Sequence, residues 1–341
     1  MTVPAPGPFD PSGRLHVEVD DESGVVKYML PIVVRDANGA FRNRLSSGSI
    51  VRLSPGLYSV AAVTSDGESA VKHVHIERGE TTSVTFEASE TGFLEGAGIP
   101  AYVFASVEFT DGCRLAAGDA KGWVFEPMDH LDRVPSAVFR VEDRRILMSL
   151  PLNPRDSYPR NSCRVDVVWT GDRRGLRMSF PPERRPARLI DGLVRHGEIA
   201  AEVDLLREAT DLLSDKYLDP PGAVLGGLTL DRMGRLRQRL AWVENLARDF
   251  AWLADAPVLL ASLLRHEPSP EERQRGLRLL LAAASERPLY TDGLSLLMEL
   301  LRRWPDEASR HERRDMLDGL AGYSAYADWG SVNLSVELPS G

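Results

Sequence analysis

Between Arg14 and about Ala88, apolar side chains return at every second residue. The runs LHVEV, MLPIVVRD, SIVRL, YSVAAVTSD, VKHVHIE and TSVTFEA alternate in this way, which is the signature of strands with one buried face. Turn-forming triplets separate them: Ala37 to Gly39, Ser54 to Gly56, Ser65 to Gly67 and Arg78 to Glu80. Six or seven short strands at this spacing predict an antiparallel β-sandwich over residues 14–90. Residues 1–13, rich in Pro and Gly, read as a flexible arm. A Gly-rich break, Glu90 to Gly98, closes the first region. From 99 to 182 the period is again two, in AYVFASVEF, SAVFRVE, RILMSLPL, CRVDVVW and LRMSF. This predicts a second antiparallel β region, either a sandwich of its own or a continuation of the first. Within it Val134 to Asp143 and Arg144 to Leu152 pair as a hairpin. Pro151 to Arg164 reads as a long surface loop.

Pro181 to Pro186 marks a second boundary, and beyond it the period changes to 3.6. Residues 187–325 predict six or seven amphipathic helices. In the densest stretch Leu236, Leu240, Val243, Ala247, Phe250 and Leu253 form one apolar stripe. Gly226 and Gly227 are read as positions where a neighbouring helix approaches closely. Asp219 followed by two prolines is a helix start, and Ser269-Pro270-Glu271-Glu272 is a capping box. Thr291-Asp292 opens a helix that ends in Arg302-Arg303, cations that suit the negative helix end. Residues 331–338 alternate once more. A lone strand needs an edge to pair with, so it is expected to return to a β region, most directly the second. The fold class is α+β multidomain: an N-terminal antiparallel β-sandwich, a second antiparallel β region, and a C-terminal α-helical, TPR-like array with a returning C-terminal strand.

Two resemblances add to this reading. Val51, Pro55, Gly56, Tyr58 and Val60, then Asp66-Gly67, Val74, Ile76, Gly79, Val84 and Phe86, give residues 14–88 a cadence that resembles carboxypeptidase-regulatory-like and PEGA-like β-sandwich modules. Such modules stabilise or bind in many contexts and imply no single activity. The run from Asp219-Pro220 through Gly226-Gly227, Trp242, Phe250 and Trp252, with Pro288, Tyr290 and Gly293 later, is similar to helical tails of uncharacterised bacterial proteins. Those proteins accompany caspase-like proteases. The chain carries no caspase-like His and Cys motif of its own, so the resemblance implies a protease as partner rather than protease activity.

Composition narrows the function. The net charge of −9 disfavours nucleic acid as a partner. No apolar run reaches about 18 residues, so no membrane span is expected. The N-terminus lacks the pattern of a secretory signal, and two cysteines make no disulfide scaffold, which together point to the cytoplasm. His73 and His75 share one strand face, but without a third ligand they are expected to face solvent rather than hold a metal. Cys113 or Cys163 with His130 or His196 and Asp129 could form a thiol dyad or triad, but no nucleophile motif surrounds either thiol. Gly222, Gly226 and Gly227 lack the lysine of a phosphate loop. Neither a catalytic residue, a metal nor a cofactor is therefore expected. Partner binding is assigned to an aromatic and arginine set: Trp242, Trp252, Arg235, Arg239 and Tyr290. Arg232, Arg235, Arg237 and Arg239 form one basic cluster, whose plainer reading is a solvated helix start with partners such as Asp231 and Glu244. The leading expectation is a non-enzymatic cytoplasmic scaffold or adaptor that binds a protein, with a caspase-like protease of a bacterial defence or regulatory system as candidate. The alternatives are a Cys/His hydrolase and a carbohydrate- or surface-binding module.

Overall fold

The computed structural model describes residues 12–20, 32–37, 40–63, 69–87, 105–118, 122–128, 133–153, 161–170, 173–180, 184, 187, 190–191 and 203–339. The expected arm, the Glu90–Gly98 break and most of the Pro151–Arg164 loop lie outside them. The chain divides into two compact units, residues 1–96 and 97–341.

The first unit holds seven strands: β1 Gly13–Asp20, β2 Ile32–Asp36, β3 Phe41–Leu45, β4 Ser49–Leu53, β5 Gly56–Val63, β6 Ser69–Ile76 and β7 Thr81–Glu87. They form two sheets, ordered β4-β1-β7 and β3-β2-β5-β6. Leu15, Val17, Val19, Val84 and Phe86 are buried from the first sheet, and Ile32, Val34, Val60, Ala62 and Ile76 from the second. The alternation in the sequence is thus the inner face of each sheet. One pairing differs from the antiparallel expectation: β1 runs parallel to β7, from Arg14 opposite Thr81 to Asp20 opposite Glu87. Alternation specifies which face is buried and leaves strand direction open. Gly79, at φ 77°, makes the turn from β6 into β7 in a conformation that side chains resist.

In the second unit, β8 Ala105–Asp111, β9 Cys113–Gly118, β10 Gly122–Pro127, β11 Ser136–Val141, β12 Arg144–Ser149, β13 Cys163–Thr170 and β14 Arg173–Ser179 precede the helices, and β15 Ser335–Leu338 follows them. The two sheets run β14-β13-β10-β9 and β15-β12-β11-β8. The expected hairpin is β11–β12, from Ser136 opposite Ser149 to Val141 opposite Arg144. Trp123 and Phe125 of one sheet meet Phe139 of the other at ring-centre distances of 5.5 and 5.7 Å. The first contact is tilted by 39° and the second is edge-on at 87°, both at centroid distances where aromatic pairs attract, and they join the two sheets.

Seven α-helices are present among the described residues: α1 Val203–Ser214, α2 Pro220–Arg232, α3 Leu240–Asp249, α4 Asp255–Leu264, α5 Pro270–Ala284, α6 Thr291–Arg303 and α7 Arg310–Ser324. The predicted caps form. Asp219 accepts a hydrogen bond from the Gly222 backbone N–H, and the Ser269 hydroxyl accepts one from Glu272 N–H. Every residue of α4 is buried, and it packs against α2, α3, α5 and α6. That explains its nearly unbroken apolar sequence. Gly226 lies so close to α1 that a β-carbon would fall 2.6 Å from the Ala209 carbonyl oxygen. At Gly227 it would fall 2.7 Å from Leu259 of α4.

The strand after the helices returns to the sheet. β15 pairs antiparallel with β12, from Arg145 opposite Leu338 to Met148 opposite Ser335. Just before it, Asn333 bridges Tyr290, and Leu334 N–H donates to the Leu289 carbonyl. Ser149 ties the same place to the sheet by donating its hydroxyl to the Pro288 carbonyl. Residues 332–338 therefore join the sheet to the α5–α6 connection. Asp255, the first residue of α4, completes the junction: its carboxylate accepts the backbone N–H groups of Leu289 and Tyr290 at 2.6 and 3.2 Å. Arg184 reaches across to pair with the carboxylate of Asp219 while donating to the Pro151 carbonyl.

Candidate functional site

The apolar stripe Leu236–Leu253 is interrupted as a helix, and this decides which aromatic residues reach the surface. A short 3-10 turn, Leu236–Arg239, leads into α3, which stops at Asp249. Phe250 leaves the helical region with φ −126° and ψ 48°. Trp252 consequently lies on the link into α4, where it is buried. Tyr290 is fully buried too, its hydroxyl donating to the Pro221 carbonyl at 2.9 Å. The sequence assigns both to the partner-binding set, and the structure corrects this: both side chains lie in the interior rather than on the surface. Their spacing was helical, but each serves the core. Arg235 is exposed, and Trp242 and Arg239 are half-buried, with the Arg239 guanidinium 5.1 Å from the centre of the Trp242 ring. Of the other two arginines in the cluster, Arg232 pairs with Asp292 and Arg237 with Glu267.

The structure adds two residues to this face. Seven positions separate Trp242 from Asp249, which puts them on one side of α3 about 10 Å apart. Asp249 accepts a hydrogen bond of 2.6 Å from the hydroxyl of Tyr217, in the α1–α2 loop. The Tyr217 ring packs 5.7 Å from that of Phe250. Arg248 donates to the same carboxylate at 2.8 Å. Hydrogen bonding from Arg248, then from Tyr217, holds the Asp249 carboxyl below the usual carboxylate range. Tyr217 is fixed by these contacts yet 60% exposed, and its neighbour Leu218 is 80% exposed. The available sequence signal was a large aromatic–aliphatic pair in a connection just before the Asp219 helix cap.

The other chemistry considered does not assemble among the described residues. Cys113 and Cys163 are both buried. Burial pushes the Cys113 thiol up to about 12 and raises Cys163 well above an ordinary thiol, the opposite of what a nucleophile needs. His130, His196 and Asp129 lie outside the described residues. His73 and His75 are exposed on β6, with His75 beside Glu77 at 3.7 Å. No group of three metal-ligating side chains occurs among the described residues. No described helix is long and apolar enough to cross a membrane.

A second concave surface lies where the returning strand meets the sheets. Arg144 of β12 and Arg174 of β14 line it, opposite Tyr326, Asp328 and Trp329 of the segment that follows α7. The backbone of that segment packs, with Glu337 N–H donating to the Tyr326 carbonyl and Asp328 N–H to the Ser335 carbonyl. Both aromatic rings nevertheless remain 51% exposed.

The architecture is that of an α+β multidomain protein with a helical unit closed by a returning strand. Residues 189–335 match the family described as the Y4kD C-terminal domain, a span that takes in all seven helices and reaches the first residue of β15. No curated protein and no solved structure matches the chain.

Proposed function

We propose that this protein is a non-enzymatic adaptor that engages a protein partner through the outer face of α3 and the α1–α2 loop. The reading rests on Leu218 and Tyr217, two large apolar side chains held outward on a rigid support. Tyr217 is immobilised by Asp249 and Phe250, so little side-chain freedom remains to be lost on binding. Trp242 with Arg239 on the same face supplies the residue types that dominate binding hot spots. The resemblance of the helical region to tails that accompany caspase-like proteases supports such a protease, in a cytoplasmic bacterial defence or regulatory system, as the partner. The likeness of the first unit to PEGA-like modules supports a second binding or spacing element. A photo-crosslinking residue at Leu218, introduced in the native host, tests the proposal. One dominant protein adduct is expected, lost when Trp242 is changed to Ala. Absence of any adduct, or an adduct indifferent to Trp242→Ala, would sink it.

A further inference from the structure

The cleft between β12, β14 and the segment after α7 has a volume of about 430 Å³, enough for a ligand of two or three rings. Its charged groups balance: Arg144 and Arg174 face Asp328 and Glu337. The arginine side chains are largely covered, at 16% and 15% exposure, and their carboxylate neighbours stand at ion-pair distance: Arg144 is 3.8 Å from Glu337, and Arg174 is 3.9 Å from Glu142. Fixed donors and fixed acceptors therefore line one concave surface. Beside them stand the exposed faces of Tyr326 and Trp329, the latter oriented by donating its indole N–H to the Ser324 carbonyl at 3.2 Å.

Three ligand chemistries can be weighed against this lining. A nucleotide would use the aromatic rings and the arginines, but its phosphates would meet the carboxylates of Asp328 and Glu337 in the same cleft. An extended peptide would add to the outer edge of β14, but the Arg144 guanidinium already donates to the Arg174 carbonyl on that strand. An uncharged polyol meets neither obstacle. Its hydroxyls donate to the carboxylates and accept from the guanidiniums, both charge-assisted bonds. Its C–H faces lie against the electron-rich faces of Tyr326 and Trp329. We infer that this cleft is a binding site for a neutral saccharide, separate from the protein-binding face on α3.

The test uses the full chain with maltotriose, cellotriose, mannotriose and tri-N-acetylchitotriose, each at up to about 10 mM. AMP and an acidic hexapeptide serve as competing chemistries. Binding is read by calorimetry and by the Trp329 indole resonance, assigned by its loss in Trp329→Phe. At least one trisaccharide is expected to bind, and Trp329→Ala to weaken it about tenfold or more with an unchanged melting temperature. Tyr326→Ala should weaken it several-fold and provides a second reading if Trp329→Ala unfolds. Glu337→Gln discriminates by sign: it weakens a saccharide by removing a charged acceptor but strengthens an anion by removing repulsion. The inference is overturned if none of the four trisaccharides moves the Trp329 resonance. It is equally overturned if AMP or the peptide binds this cleft more tightly than every saccharide, or if Glu337→Gln strengthens binding.

Discussion

The carboxylate of Asp255 makes the stability of the second unit depend on pH in the opposite sense to most acidic groups. The side chain is fully buried at the start of α4. Burial raises its pKa from 3.8 to about 6, although the backbone N–H groups of Leu289 and Tyr290 pull the other way. The folded state therefore holds this proton more tightly than the unfolded chain does. The resulting stabilisation is complete below the unfolded pKa and is lost as pH rises through the folded one. A shift of about two units corresponds to about 3 kcal/mol in all, of which about 2 kcal/mol falls between about pH 4.5 and pH 7.5. Asp255→Asn removes the titration. It also turns an amide donor toward one of two backbone donors, a pH-independent cost of about 1–3 kcal/mol. The observable is thus the difference between wild type and Asp255→Asn, followed by urea unfolding at several pH values so that other titrations cancel. All six tryptophans lie in residues 97–341, so intrinsic tryptophan fluorescence reports on this unit. Wild type should lose about 2 kcal/mol relative to the variant on going from pH 4.5 to pH 7.5. Parallel stability curves across that range would refute the reasoning.

Three further predictions follow from packing. Gly293→Ala places a β-carbon 1.8 Å from the Asp255 carboxylate oxygen and should cost about 2–3 kcal/mol, whereas Gly319→Ala in α7 meets nothing within 4 Å and should add about 0.5–1 kcal/mol; melting temperatures that move together would contradict both. Phe250→Ala, which empties a buried site against Tyr217, should cost about 3–5 kcal/mol, and a melting temperature unchanged within error would mean the ring is not part of the core. Deleting residues 331–341 removes the buried side chains of Val332, Leu334 and Val336, a loss of about 5 kcal/mol, and should speed amide exchange in β12; protection unchanged at Leu147 would refute the pairing.

The architecture was legible where one physical pattern decided it. Period two located the β regions, period 3.6 the helices, and Asp219 and Ser269 their starts, because each depends on neighbours a few residues away. The return of residues 331–338 followed from the cost of an unpaired strand. The parallel β1–β7 pair was not legible, since side-chain alternation is the same in either direction. The candidate site was legible only in part. Trp242 and Arg239 were found by composition, but the end of α3 at Asp249 broke the phase relating Trp242 to Trp252. Tyr290 looks the same in sequence whether it faces a partner or fills a core, and its hydroxyl partner, Pro221, lies on a different helix. The outward turn of Tyr217 and Leu218 is set by Asp249 and Phe250, a tertiary contact that no local pattern encodes.

The pairing of β15 with β12 also orders events during synthesis. β12 leaves the ribosome long before β15, and until then one side of β12 has no strand beside it. During that interval the second sheet is an unfinished template, exposed to pairing with other nascent chains. The helices of the array, built from contacts close in sequence, can form earlier, so the unit would complete itself from its helices toward its sheet.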